Sequence, residues 1–258
     1  YLIMDFDQIV SVGTAAAQEA GKYLLREQKN VSVVSQKTPT DWLLAQDKKA
    51  EEIIVAKIKE TFPDHSILAE ESGHSKNHEE YQWIIDPLDG SFNYQHGWHL
   101  FGVTIGFAVR DEVQVSVIFM PAFNEMYTAI DQQGAFLNGE KIHVSSIKDL
   151  KQSEIIFADF EKSFNQKIIN RQLEDIKALA NNVGRVRMVG SAALDHVLIA
   201  SGRAEGLVAR GGGRWDIEIG KKLVEEAGGV ATFEKDEYGL LSIFGNKTIY
   251  TALSEIIK

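Results

Sequence analysis

Two aspartates three residues apart, Asp86 and Asp89, close the stretch Trp83-Ile84-Ile85-Asp86-Pro87-Leu88-Asp89-Gly90. The apolar run reads as a buried strand, and a dry strand gains nothing from ending in two carboxylates. Further acids stand at predicted element ends. Glu70 and Glu71 follow Ile67-Leu68-Ala69, Asp47 opens a helix, and Asp216 follows Trp215 where a late helix begins. If the Ile67 and Trp83 strands are neighbours, Glu70, Asp86 and Asp89 converge at one sheet edge. Carboxylates crowded there repel one another and are costly to bury. A divalent cation removes that cost. All-oxygen ligation without a histidine pattern favours Mg²⁺ or Mn²⁺ over zinc. Taken singly, each motif has a plainer reading: a turn for Asp-Pro-x-Asp-Gly, a solvated loop for Glu70-Glu71, a helix N-cap for Asp216. Only the combination points to a metal.

Other chemistries find little support. The chain has 258 residues and no cysteine, which excludes disulfides, thiolate nucleophiles, iron–sulfur clusters and cysteine zinc sites. It has no G-x-x-x-x-G-K-[ST] phosphate loop, no G-x-S-x-G nucleophile elbow and no H-E-x-x-H. His96 and His99 lie three apart and read as structural or surface residues. The formal net charge of −10 disfavours nucleic acid and anionic membranes as partners, because phosphate attraction needs a positive surface. Any phosphate handled here has to be drawn by something other than global charge, and a bound divalent cation would serve. No run of about 18 apolar residues predicts a membrane span, and the first residues do not read as a signal peptide. A cytoplasmic protein is expected.

The elements that must position these acids follow from periodicity. Residues 6–28 and 46–61 read as amphipathic helices, with short buried strands at 67–69 and 83–85. An antiparallel meander follows: 103–109, a turn at Arg110-Asp111, 113–119 and 125–130, with a hairpin turn at Asn138-Gly139. After about residue 150 strands and helices alternate. Strands are expected at 155–157, 186–189 and 206–209, and helices at 164–181, 192–201 and 216–227, which suggests an α/β second half.

Five segments in order resemble the inositol monophosphatase family of Mg²⁺-dependent, lithium-sensitive phosphatases. They are Lys37-Thr38-Pro39-Thr40-Asp41 leading to Asp47, Ala69-Glu70-Glu71-Ser72, Trp83 through Asn93, Gly190-Ser191-Ala192-Ala193, and Trp215-Asp216. The resemblance implies a layered αβαβα sandwich of the inositol monophosphatase/fructose-1,6-bisphosphatase type. Residues 1–148 would form an α+β half carrying most metal ligands, and 149–258 an α/β half supplying Asp216. It implies that Glu70, Asp86 and the carbonyl of Leu88 hold one Mg²⁺. Asp86, Asp89 and Asp216 would hold a second, and Glu70 would support a weaker third. A metal pair clamps the attacking and leaving oxygens of an in-line displacement. Ser91 and Asp47 would orient or deprotonate the attacking water, with Glu70 also in a catalytic role. The N–H groups of Gly90 and Ser91, and the segment Gly190, Ser191 and Ala192, would meet the substrate. A homodimer acting on a small phosphate monoester is expected. One bacterial relative is linked to transcription complexes, so a regulatory, protein-binding role is the alternative from a different class.

Two departures from the family stand out. Ser91 replaces the usual threonine, keeping the hydroxyl. Animal members carry a glutamate about six residues before the late aspartate, and here Ala209 and Arg210 stand seven and six residues before Asp216. Arg210 and Arg214 flank a triple glycine, and arginine suits bidentate phosphate recognition. The sequence therefore predicts that these two arginines admit a second phosphate, as in fructose 1,6-bisphosphate or NADP⁺, so that bisphosphatase or NADP(H) phosphatase activity is the alternative to inositol monophosphates.

Overall fold

The computed structural model describes residues 5–38, 41–75, 80–160 and 165–257. The first half runs α1 (Phe6–Glu27), β1 (Val33–Thr38), β2 (Asp41–Leu44), α2 (Ala45–Thr61), β3 (Ser66–Ala69), β4 (Gly73–Ser75), β5 (Tyr81–Asp89) and α3 (Ser91–Gln95). The meander follows as β6 (Gly102–Val109), β7 (Glu112–Met120), β8 (Glu125–Ile130), β9 (Gly134–Leu137) and β10 (Glu140–Ile142). Then come β11 (Glu154–Phe157), α4 (Gln166–Asn182), β12 (Arg185–Arg187), α5 (Ala192–Ala200), β13 (Gly206–Arg210) and α6 (Arg214–Glu226). The chain closes with β14 (Val230–Asp236), β15 (Gly239–Gly245) and α7 (Lys247–Ile256).

Two sheets organise the molecule. The larger has the order β10-β9-β8-β7-β6-β5-β3-β4, and the smaller β12-β11-β13-β15-β14. Helices α1 and α2 pack on one face of the large sheet, α5 and α6 lie between the sheets, and α4 and α7 cover the far face of the small one. Three hydrophobic clusters fill the spaces between these layers. The layered αβαβα sandwich expected from the resemblance is what the structure has. Because both faces of each sheet are covered, β5 is buried along nearly its whole length. That is why it reads as an apolar run and not as an alternating strand.

The second half departs from a pure α/β pattern. β11 pairs in parallel with β12 and β13, but β15 and β14 add as antiparallel strands. The hairpin β14–β15 and the helix α7 carry no expectation from the sequence reading, and neither does the hairpin β1–β2. Strand β5 runs four residues past the expected end, so the two aspartates sit inside it. No helix among the described residues is long and apolar enough to cross a membrane.

Candidate metal and phosphate site

Strands β3 and β5 are parallel neighbours, with Ala69 opposite Ile85, and the Glu70 N–H donates to the Ile85 carbonyl at 3.1 Å. The expected convergence therefore occurs. At the end of β5 the ladder to β6 slips between Asp86, opposite Thr104, and Asp89, opposite Gly102. This bulge takes Pro87 and Leu88 out of register and turns both aspartates toward one place. Oxygens of Asp86, Asp89 and Asp216 all lie within 4.8 Å of one another. Glu70 adjoins Asp86 closely enough to share a hydrogen bond with it.

The three aspartates reach this place by different local devices. The Asp86 carboxylate accepts the Leu88 N–H at 3.0 Å, an Asx turn that fixes the bulge. Asp89 is held by the start of α5: the Ser191 hydroxyl donates to it, as do the N–H groups of Ala192 at 3.1 Å and Ala193 at 2.9 Å. Asp216 is the third residue of α6 and accepts the Gly213 N–H at 2.6 Å. So the plain reading of Asp216 as a helix cap is true, and the same side chain also joins the acid cluster. Asp47 does the same for α2, accepting the Leu44 N–H at 2.6 Å.

Electrostatics match the donor chemistry. Burial, with Glu70, Asp89 and Asp216 nearby, raises the Asp86 carboxyl well above the usual range. Burial also raises Asp89, while Ser191 and the two N–H groups of α5 pull it down. Among the described residues neither Asp86 nor Asp89 has an ion-pair partner. A compact set of carboxylate oxygens, two of them on buried aspartates, is the donor set that a hard divalent ion takes. Asp47, buried, is pushed up to about 8 by burial, with Leu44 opposing and Glu71 adding to the rise.

A cavity of about 670 Å³ opens beside the acids, in the size range of small-ligand sites. Glu70, Asp89, Gly90, Ser91 and Asp216 line it, as do Gly190, Ser191 and Ala192. Asp47 does not line it. Gly90 is left-handed, at φ 80°, and a Cβ there would lie 2.8 Å from the Leu100 carbonyl oxygen. Only glycine turns the chain from β5 into α3 at this spot. Gly190, also left-handed at φ 74°, packs against Asn93. The Asn93 amide donates to the carbonyls of Leu100, Val189 and Gly190, at 2.9, 2.8 and 3.1 Å. It ties the two wall segments together.

Ser191 and Ala192 line the cavity, and they also give the Ser191 hydroxyl and the Ala192 N–H to Asp89. One expectation meets a different geometry. Arg210 was expected to donate to a second phosphate. Its side chain is fully buried, with Nε 2.6 Å from Asp175 and Nη1 2.7 Å from Asp236. As the last residue of β13 it pairs with Leu241, whereas its neighbour Ala209 pairs with Ser242. Strand alternation sends the guanidinium to the face away from the cavity, where matched acids hold it. The side chain of Arg214 lies outside the described residues, as do Pro39 and Thr40. His96 and His99 are exposed, as read from the sequence; His96 stacks on Phe92.

Two residues escaped the sequence reading. Glu51 of α2, buried, accepts the N–H groups of Glu71 at 3.0 Å and Ser72 at 3.1 Å and so anchors the loop that carries Glu70. Lys37 of β1 reaches Glu70 at 3.1 Å and Glu71 at 2.6 Å. Its charge was the signal available; its target, 33 residues on, was not.

The family model for the inositol monophosphatase family matches residues 5–252. The chain belongs to the inositol monophosphatase family. It is 32% identical to a fructose-1,6-bisphosphatase/inositol-1-monophosphatase of Aquifex aeolicus, over 87% of this chain and 85% of that one. It is 37% identical to the Nus factor SuhB of Xylella fastidiosa, over 96% and 94%. The solved suhB structure from Bartonella henselae superimposes with a TM-score of 0.90 at 30% identity, covering 97% of this chain and 98% of that one. Membership makes this chain a phosphatase of the inositol monophosphatase type, with a cluster of acids able to hold metal.

Proposed function

We propose that the chain is a Mg²⁺-dependent phosphomonoesterase that hydrolyses inositol monophosphates by in-line attack of water. The observation that carries this is the meeting of Asp86, Asp89 and Asp216 within 4.8 Å, the last two of them on the wall of a ligand-sized cavity. Glu70, Asp86 and the Leu88 carbonyl would hold one ion, and Asp86, Asp89 and Asp216 another, with Glu70 supporting a weaker third; Mn²⁺ fits the same donors. Bound there, the ions supply Lewis acidity, charge neutralisation and a more acidic water. The protein's own groups do the rest. The N–H groups of Gly90 and Ser91 receive phosphate oxygens, and the Ser91 hydroxyl orients the attacking water. Asp47, its carboxyl pushed up to about 8, would suit a proton acceptor working with Ser91. Gly190, Ser191 and Ala192, which line the cavity, would meet the substrate, while Ser191 and Ala192 also fix Asp89.

The reading extends to a cytoplasmic homodimer inhibited by lithium, as the resemblance implies. Light scattering and a lithium titration test those points. It keeps the division near residue 148, with Asp216 coming from the second half. Fructose 1,6-bisphosphate and NADP(H) remain competing substrates, the first named for the Aquifex relative. The test is phosphate release, with Mg²⁺, from inositol 1-phosphate, fructose 1,6-bisphosphate and NADP⁺, for wild type beside Asp89→Asn. No release from any of them sinks the reading. The name Nus factor SuhB on the Xylella relative supports a second, regulatory role in binding a protein partner. A partner-binding role that survives Asp89→Asn separates the two.

A further inference from the structure

One face of β6 carries Gly102, Thr104 and Gly106, because side chains alternate along a strand. Helices of the second half approach both glycines closely. A Cβ at Gly102 would lie 2.9 Å from the Cβ of Ala193 on α5, and one at Gly106 would lie 2.8 Å from the side chain of Ile219 on α6. Ala193 belongs to the clamp on Asp89, and Ile219 stands three residues after Asp216. Thr104 lies between these two contacts, and the ladder to β5 sets it opposite Asp86. One threonine is thus placed among the elements that carry or clamp all three aspartates of the cluster.

Thr104 is 4% exposed, and its Oγ1 has no hydrogen-bond partner among the described residues. Buried polar atoms are nearly always paired, because an unmade bond leaves the full desolvation cost of the group. Side chains directly opposed on neighbouring antiparallel strands have Cβ atoms about 5 Å apart, which puts the Asp86 carboxylate within reach of this hydroxyl. Their chemistry is complementary, since a carboxylate accepts and a hydroxyl donates. The Leu88 N–H already holds Asp86 Oδ1 at 3.0 Å. A carboxylate that grips a cation is oriented by the donors behind it, and losing one costs about 10- to 100-fold in metal affinity.

Ser116 on β7 supplies a comparison. It is 0% exposed, and its Oγ also has no hydrogen-bond partner among the described residues. Its ladder partners are Gly106 and Ala129, neither of them an acid. The two hydroxyls are therefore alike in burial and differ in what faces them.

We propose that Thr104 is a positioning residue of the metal site, whose hydroxyl donates to the Asp86 carboxylate when a divalent ion is bound and so sets how tightly the ion is held. This rests on the metal reading of the acid cluster and adds a residue to it that touches neither ion nor substrate.

The experiment titrates Mn²⁺ into chelator-treated protein and reads the free ion by electron paramagnetic resonance. Melting curves of the metal-free protein run beside it, for wild type, Thr104→Val, Thr104→Ser, Ser116→Ala and Asp86→Asn. Thr104→Val removes the hydroxyl at nearly constant volume and raises the Mn²⁺ dissociation constant about tenfold. Its metal-free melting temperature stays the same or rises, because an unpaired buried hydroxyl stabilises nothing. Thr104→Ser keeps the donor and binds Mn²⁺ close to wild type, and Ser116→Ala leaves the dissociation constant where it was. A Thr104→Val protein that binds Mn²⁺ as wild type does overturns the proposal. So does an equal loss in Ser116→Ala, which would make the effect a property of the packed face. Thr104→Ala carries the same readings if the valine variant does not fold. Failure of the metal reading looks different: wild type binds no Mn²⁺, or Asp86→Asn binds it as tightly, and the proposal falls with that reading.

Discussion

Two buried groups of ionisable side chains are built on opposite plans. Around Arg210 the charges are matched: Asp175 sits between Arg210 and Arg171, at 2.6 and 2.9 Å, and Asp236 closes the set at 2.7 Å. Its acids and bases come from α4, β13 and β14, and the group clips the small sheet to its outer helix. At the end of β5 the charges are of one sign, with Asp86, Asp89 and Asp216 facing each other. Matched burial makes scaffold, because each acid of the group already has a protein cation as its partner. Like-charge burial costs stability, a cost that a bound cation would offset.

The sharpest way to break this contrast is to remove one charge from each group. Asp89→Asn should lower phosphate release about a thousandfold, as loss of a transition-state charge contact does, while leaving the melting temperature unchanged or raised. Arg210→Ala should do the reverse. It leaves Asp175 and Asp236 without their shared partner and should cost about 3 kcal/mol in urea unfolding, with the substrate ranking unchanged. A selective loss of NADP⁺ or bisphosphate turnover in Arg210→Ala, with full stability, would restore it as a phosphate ligand.

A smaller effect comes from the cation itself. Mg²⁺ at about 100 times its dissociation constant should stabilise the wild type by about 2.7 kcal/mol and Asp86→Asn far less. Differential scanning fluorimetry with and without a chelator reads it, and equal shifts in both proteins would count against metal at β5. The smallest involves a buried base beside the cavity. Burial lowers the His196 imidazole to about 4. Between that value and about 6.5, its unfolded value, the unfolded chain takes up a proton and the folded one does not. Stability from this residue is therefore full above about pH 6.5 and is lost as pH falls toward 4. His196→Gln should flatten that limb of the melting-temperature profile and leave the response to Mg²⁺ in place; an unchanged limb would mean His196 is not its source.

Which parts of this were legible in the sequence follows from distance along the chain. Asp86 and Asp89 announced themselves because a strand covered on both faces leaves a continuous apolar run, and acids at its end stand out. Asp47 and Asp216 were legible for a local reason too: each opens a helix, three residues from the N–H it caps. Arg210 misled because its meaning is a parity. One residue along β13 separates the cavity face from the buried one, and the acids that claim the guanidinium lie 35 and 26 residues away. Ser191 carries a further long-range role that nothing local announces, since its hydroxyl serves an aspartate 102 residues earlier. The closing hairpin β14–β15 pairs locally, but its position depends on β13, and nothing local in the sequence states that.

The strand order of the two sheets carries one more consequence. The large sheet ends in β10 and β4 and the small one in β12, each three residues long. The remaining edge, β14, runs out through Glu234, Lys235 and Asp236. Short or charged margins offer a poor template for another chain's backbone, which guards against fibre-like growth. Contacts between copies through the two larger sheets then fall to side chains on their faces, and the two-stranded β1–β2 sheet, with its exposed six-residue β1, is the one that leaves a longer edge open.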